Sequence, residues 1–388
     1  MGLIGVLLTS GPVVANSSLG LSFAQGFTVL NRLQNDNDED NALRSTTDIG
    51  VNWQGNYTRT DASLSVGVRL TGDTDNDDGT FFNDPNPRVA GRIDYRGRRL
   101  STFATLSVVP QFRSDRQFEF VDIEDEETGA IVDVERRANE EDALQLNINA
   151  RAGGSLQLDP RNSLSLSAFS RFREYPDGSE TLNATRTVGA TVGWNNALDS
   201  RTSGGVSFTT RLFTSDAEDA DDTVSNSLSL NASRRFTPRH NANASIGLSA
   251  VDGDVGDVNV VGGVGFSYRA RSDLSFRTGL DQDVAQDDNG EVRLVTRLNG
   301  SASWTVNSVS SVSFGSRLSF DTPVGGSEDD NDVNFALSAQ YSLRLTEAWR
   351  LALSYGLALE SSQDSVADDI EATNRFQIRL SRNFNLFP

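Results

Sequence analysis

Residues Val292 to Val306 place the tightest constraint on what this chain can fold into. Val292, Leu294, Leu298, Ala302, Trp304 and Val306 share one parity, while Arg293, Arg297, Asn299, Ser301, Ser303 and Thr305 share the other. Side chains on an extended strand point to opposite faces with period two, so this segment has one apolar and one polar face. A helix needs apolar residues three and four apart, and that spacing is missing. The pattern recurs along the chain. Trp349, Leu351, Leu353, Tyr355, Leu357 and Leu359 alternate with Arg350, Ser354, Gly356 and Glu360. Val333 to Leu343, Leu64 to Leu70, Leu144 to Ile148 and Phe376 to Leu380 repeat it.

Composition decides what kind of sheet this is. Of 388 residues only 37% are hydrophobic, 33 are Gly and the net charge is −20. A packed soluble core of that size asks for more apolar side chains. A membrane barrel does not, because only its lipid face is apolar and its other face is wet. Polar, acidic chains also stay disordered, but disorder does not produce alternation. No stretch approaches the roughly 20 apolar residues of a spanning helix. There is no Cys, which excludes a disulfide framework and a thiolate metal site. All 34 basic residues are Arg. Either genomic base composition or the value of a permanently charged, five-donor side chain in a narrow pore accounts for that. Met1 to Ala15 is short and apolar and ends in Val13-Val14-Ala15, the pattern of a signal-peptide cleavage site without the basic n-region. The expected organisation is a signal peptide over 1–15 and a transmembrane β-barrel over 16–388.

Two kinds of connection alternate. Tight turns are expected at Thr60-Asp61, Gly97-Arg98-Arg99, Asp159-Pro160-Arg161, Asp199-Ser200, Thr237-Pro238-Arg239, Ala270-Arg271, Asn307-Ser308 and Thr346-Glu347. Between them fall longer acidic segments, among them Asn35 to Asn41, Asp73 to Pro87, Ile123 to Ala130, Asp216 to Asp222, Asp283 to Glu291 and Thr322 to Asp332. Short periplasmic turns facing longer extracellular loops mark an outer-membrane barrel. The fold class is therefore all-β: a single antiparallel up-and-down barrel of about 18 strands, an even number as such barrels require. Trp53, Trp194, Trp304 and Trp349 fall on the outward parity near tight turns, with Tyr57, Tyr95 and Tyr268 placed similarly. Amphipathic rings gathered at one membrane boundary form an aromatic girdle. Tyr175 and Phe320 are candidates for the opposite girdle.

The segment Ile378 to Phe387 resembles the terminal strand signal by which barrel proteins are recognised for assembly, with Pro388 added after the terminal aromatic. In its alternation, turns and girdle, the chain from Asn16 to Pro388 resembles the β-barrel porin families of Gram-negative outer membranes. That resemblance implies contact with outer-membrane lipid and lipopolysaccharide, assembly by the barrel-assembly machinery, passage of small solutes, and a homotrimer. Small lipid-face residues such as Gly262 and Ala302 offer a contact for it.

The chemistry expected inside is basic. Arg69, Arg92, Arg96, Arg113, Arg151, Arg171, Arg173, Arg211, Arg277, Arg293, Arg297, Arg317, Arg344, Arg375 and Arg379 fall on the polar parity, with fewer acids such as Asp94, Asp281 and Glu371. Rings of Arg in a pore favour anions; the same guanidiniums also brace a wet wall by bridging strands. Barrels of this width leave an aqueous channel unless something plugs it, and Asp73 to Pro87 is the candidate inward loop. Asp73, Asp75 and Asp77 have the alternate spacing of a cation loop, but the glycine, Gly79, stands one place late for the EF-hand pattern. His240, the single histidine, lies beside the tight Pro238-Arg239 turn and reads as a solvated turn residue. With no P-loop, dinucleotide fingerprint or zinc spacing, neither an enzyme nor a cofactor is expected, and the acidic balance argues against nucleic acid. The leading expectation is a passive channel for small hydrophilic solutes, anion-preferring at its narrowest point. The alternatives are an export conduit for an anionic polysaccharide and a closed structural or adhesive barrel that presents its acidic loops.

Overall fold

Alternating strands in lipid have one way to satisfy every backbone amide and carbonyl: the sheet must close on itself. It does so here. The computed structural model describes residues 16–33, 39–73, 86–112, 144–175, 183–217, 222–252, 257–286, 291–324, 331–362 and 370–387. Within them run β1 (Asn16–Leu33), β2 (Glu39–Asn56), β3 (Thr60–Asp73), β4 (Asn86–Arg96), β5 (Leu100–Phe112) and β6 (Leu144–Gln157). Next come β7 (Asn162–Glu174), β8 (Thr185–Ala197), β9 (Thr202–Ser215), β10 (Thr223–Thr237), β11 (His240–Asp252) and β12 (Asp257–Arg271). The last six are β13 (Leu274–Gln286), β14 (Val292–Thr305), β15 (Ser310–Pro323), β16 (Asp332–Arg344), β17 (Trp349–Ser362) and β18 (Ile370–Phe387). Each strand pairs antiparallel with its neighbours in sequence, and β18 closes on β1 from Leu33↔Ala372 to Leu19↔Phe387. The 18-strand count matches the expectation from the alternating turns.

The two faces follow the parity. Leu64, Val66 and Val68 on β3, Leu228 and Leu230 on β10, and Ile246 and Leu248 on β11 all project outward and exposed. The inner face pairs hydroxyls across strands: Thr191 with Thr209 at 3.0 Å, Ser203 with Ser233 at 2.7 Å, and Ser225 with Ser249 at 2.9 Å. Such cross-strand pairs pin the register that the alternation requires.

Two of the eight tight turns depart from expectation by a residue or two. The first reverses at Tyr57–Arg59, where the Tyr57 amide donates to Thr60 O at 2.8 Å, so Thr60-Asp61 already opens β3. The β12–β13 reversal falls on Ser272-Asp273 rather than Ala270-Arg271. Asp273 is held there by the Trp304 indole at 3.2 Å and by Arg271 at 3.6 Å.

The wall leaves the cylinder at β13. β12 pairs with β13 only from Gly262↔Gln282 downward to Arg271↔Leu274, so Asp257 to Val261 pair with β11 alone. Gly262, the last paired residue, has φ +148°, a conformation that L side chains rarely adopt. A Cβ there would also collide with the Ser245 carbonyl oxygen of β11. Above this bend the β13–β14 hairpin tucks inside the barrel. The former outer face of the hairpin, at Val284, Val292 and Leu294, packs on Phe213 of β9, Val251 of β11 and Val261 of β12. Val284 is 2% exposed and Val295 1%. The sheet thus overlaps itself locally as two layers with a dry contact between them.

Candidate lumenal pathway

β13 enters the lumen with a bare edge, and unpaired backbone carbonyls buried away from water must find donors. Arg211 of β9 supplies them. Its guanidinium donates to Asp283 Oδ1 at 3.0 Å, to Asp283 Oδ2 at 2.7 Å and to the Val284 carbonyl at 3.0 Å. The Gln286 amide donates to Thr214 O at 3.2 Å. These bonds skip β10, β11 and β12, because the hairpin lies inside those strands as a second layer. Asp283 to Gln286, read from sequence as the start of an acidic loop, is therefore strand docked on the inner face of β9 to β12. The signal for it was Val284-Ala285, an apolar pair between Asp283 and Gln286.

The hairpin brings further arginines with it. Arg293 is buried and lies 3.1 Å from Glu291 and 3.7 Å from Asp332. Arg297, 2% exposed, stands opposite Asp281 and Ser319 in register. Asp281 accepts from Asn299 at 3.2 Å, and Arg317 reaches Asn299 at 3.4 Å.

A second cluster gathers on the wall formed by β18 and β1 to β4. Asp48 of β2 receives Arg69 at 2.8 Å, Arg379 at 2.9 Å and Arg88 at 3.6 Å. Arg69 also donates to Pro110 O at 2.8 Å, on a stretch of β5 beyond its pairing with β4. Nothing in the sequence singled out Asp48 or Arg88. Both sit on the inward parity of their strands, and only three-dimensional closure brings β18 next to β1 and so within reach of β2.

The remaining arginines spread along the inner face. Arg171 is buried and donates to Asn149 at 3.0 Å, and Arg173 is buried beside it in sequence. Arg151 lies 5.3 Å over the Phe103 ring. Arg92 pairs with Asp94 at 2.7 Å, and Arg375 donates to Gln377 at 3.0 Å. Arg96, Arg277 and Arg344 are exposed toward the tight-turn end, Arg96 lying 3.3 Å from Asp61. Arg113 and the loop Asp73 to Pro87, apart from its strand ends, lie outside the described residues, as do Asp75 and Asp77; of Asp73 only the strand position is described. Among the described residues no group of three or more acids and histidines is arranged to hold a metal ion. Toward the tight turns the inner wall changes character. A cavity of about 530 Å³ is lined there by Ser155, Ser163, Asn195, Asn231 and Asn243, with Arg98 and Arg161 at its edge.

Outside, Trp53, Tyr57, Tyr95, Trp194, Tyr268, Trp304 and Trp349 occupy the lipid-side parity within a few residues of tight turns. Trp349 lies under Arg382 at 5.0 Å. His240 closes the Pro238-Arg239 turn as the first residue of β11, partly exposed. It stacks on Tyr268 with ring centroids 4.5 Å apart, and its Nδ1 pairs with the Thr237 hydroxyl at 2.7 Å. Register puts it there, since His240↔Tyr268 are directly opposed. Tyr175 differs from expectation: it shares the inward parity of Arg171 and Arg173, and its hydroxyl accepts from Gln145 at 2.9 Å. Phe320 does face outward.

No protein-family model matches the chain, and no curated protein matches it in sequence. Solved structures do match in shape. Pseudomonas aeruginosa OpdO aligns at 10% identity and TM-score 0.52 over 95% of this chain and 98% of its own. Pseudomonas aeruginosa OpdQ aligns at 9% identity and TM-score 0.51 over 95% and 99%. The outer membrane protein opdK of the same organism aligns at 9% identity and TM-score 0.50 over 94% and 99%. At these identities the likeness is one of fold, and the fold is the outer-membrane β-barrel.

Proposed function

We propose that the chain is a porin-like channel of a bacterial outer membrane, passing small hydrophilic solutes by diffusion with a preference for anions. One observation carries the reading: the inner wall of an 18-strand barrel is lined with Ser, Asn and Arg instead of being filled with packed apolar side chains. Barrels of this size leave a water-filled interior. The docked β13–β14 hairpin narrows that interior and carries Arg293 and Arg297 buried within it, where their charge acts on a passing solute through its field rather than by contact, which supports anion selection there. A narrowed lumen also favours small solutes over a polysaccharide polymer. Insertion by the barrel-assembly machinery, contact with lipopolysaccharide and a homotrimeric state belong to the same proposal.

Single-channel recording from the refolded protein in a planar bilayer tests it. A steady conductance is expected, with a reversal potential under a salt gradient that reports anion preference, and Arg297→Gln moves that potential toward zero. A barrel that passes no current would overturn the channel reading. An open pore without anion preference would overturn the selectivity and leave the channel.

A further inference from the structure

The outer face of β9 to β14 is not smooth. In its tight-turn half, a groove of about 630 Å³ opens to the lipid side. Its floor is formed by Ala232, Ala242 and Ala244, and its walls by Phe266, Leu280 and Leu298. Small side chains on the floor leave room that the same two strands fill with Leu or Ile further along, as at Leu230 and Ile246 just beyond it. The lining is almost wholly apolar, so the groove suits a hydrocarbon chain lying along the barrel wall.

Its lip is strongly basic. Arg201, Arg234, Arg235, Arg239, Arg269 and Arg271 crowd the three turns beside it, against Asp199 and Asp273. Both carboxylates are already engaged. Asp199 accepts from the Arg201 and Thr202 amides at 2.6 and 2.9 Å, and Asp273 holds Trp304 and Arg271. Arg234 lines the groove itself, on the outward parity, exposed, its guanidinium 5.5 Å over the Phe236 ring. Among the described residues it makes no hydrogen bond. The His240–Tyr268–Phe276 stack, with centroid spacings of 4.5 and 6.3 Å, stands at the same level. Aromatic rings at that height mark the headgroup layer.

We propose that this groove binds an anionic phospholipid of the inner leaflet, one acyl chain lying on the alanine floor and the headgroup phosphate held by Arg234. The inference rests on the membrane-spanning reading but not on the pore being open. Guanidinium is a good partner for phosphate, and basic residues at a membrane surface favour acidic headgroups. An apolar trough with an excess of arginine over carboxylate at its lip, and with Arg234 free of hydrogen bonds among the described residues, fits such a lipid better than a zwitterionic one or a second copy of the chain.

Native mass spectrometry of the folded barrel, released from non-ionic detergent after equilibration with phosphatidylglycerol or phosphatidylcholine, tests the site. Folding of every variant is checked by heat-modifiable electrophoretic mobility. One phosphatidylglycerol is expected to remain bound in preference to phosphatidylcholine. Arg234→Gln should weaken that retention about fivefold. Ala244→Phe, a substitution a lipid-facing position tolerates, should abolish it by filling the trough. Equal retention of both lipids, or retention indifferent to both variants, overturns the proposal. So does a dimer or trimer that Ala244→Phe dissociates, since a second copy would then cover the groove. Failure of the wild-type chain to insert into vesicles would instead strike at the membrane reading itself.

Discussion

Arg211 shows how one side chain can decide the shape of a lumen. It answers two needs of the docked hairpin at once, the charge of Asp283 and the bare carbonyl of Val284. Replacement by Ala leaves the Val284 carbonyl without that donor and Asp283 without its cation, with only the Val284 amide, among the described residues, still donating to it at 2.9 Å, which costs on the order of 3 kcal/mol for a pair of this depth. The cost falls on docking rather than on the barrel, because the wall strands keep their own ladders. Arg211→Ala is therefore expected to remain folded, with faster amide exchange at Val284 to Gln286 and a noisier, larger conductance. Unchanged exchange at those amides would mean that the apolar contact with Phe213 and Val261 holds the hairpin unaided. Asp48 illustrates the complementary case, a single acid shared by Arg69, Arg88 and Arg379. Which role each inward arginine takes, bracing or attracting, depends on whether such an acid lies within reach.

At the scale of elements, the strands were legible and the bend was not. Alternation in Leu64 to Leu70 or Trp349 to Leu359 states the face of each residue directly, because period two has no competing explanation. Turn residues such as Asp159-Pro160-Arg161 fix the hairpins for the same local reason. The inward hairpin depends on contacts between β9 and β13, 72 residues apart in the chain, and on a positive φ at Gly262. No local pattern encodes either. His240 was legible only in part, because its neighbours in sequence show the turn it closes but not Tyr268, its neighbour in space. The tight turns carry their own prediction. The Arg161 amide, donating to Asp159, and the Arg201 amide, donating to Asp199, hold both exposed carboxyls below their usual range. Groups lowered on folding stabilise in full above their ordinary value, and that contribution vanishes as pH falls through the lowered one. Unfolding followed from pH 6 to pH 2 should show acid destabilisation that is shallower in Asp159→Asn/Asp199→Asn. Identical acid limbs would show that the turns do not contribute.

For the whole molecule, the sheet resembles a ring in its tight-turn half, while at the other end one hairpin slips behind its neighbours. Membrane insertion and closure of β18 on β1 require only pairing between adjacent strands, whereas seating the hairpin requires β9 to β12 to stand already in place. Contacts of such long sequence separation form late. Refolding into vesicles is expected in two phases, a first that builds β-sheet circular dichroism and a slower second that protects Val284 and Val295 from exchange. A single phase in both signals would mean that the hairpin seats as the barrel closes. The overlap consequently gives the molecule a sense of before and after: a wall that is complete as a container before it is complete as a filter.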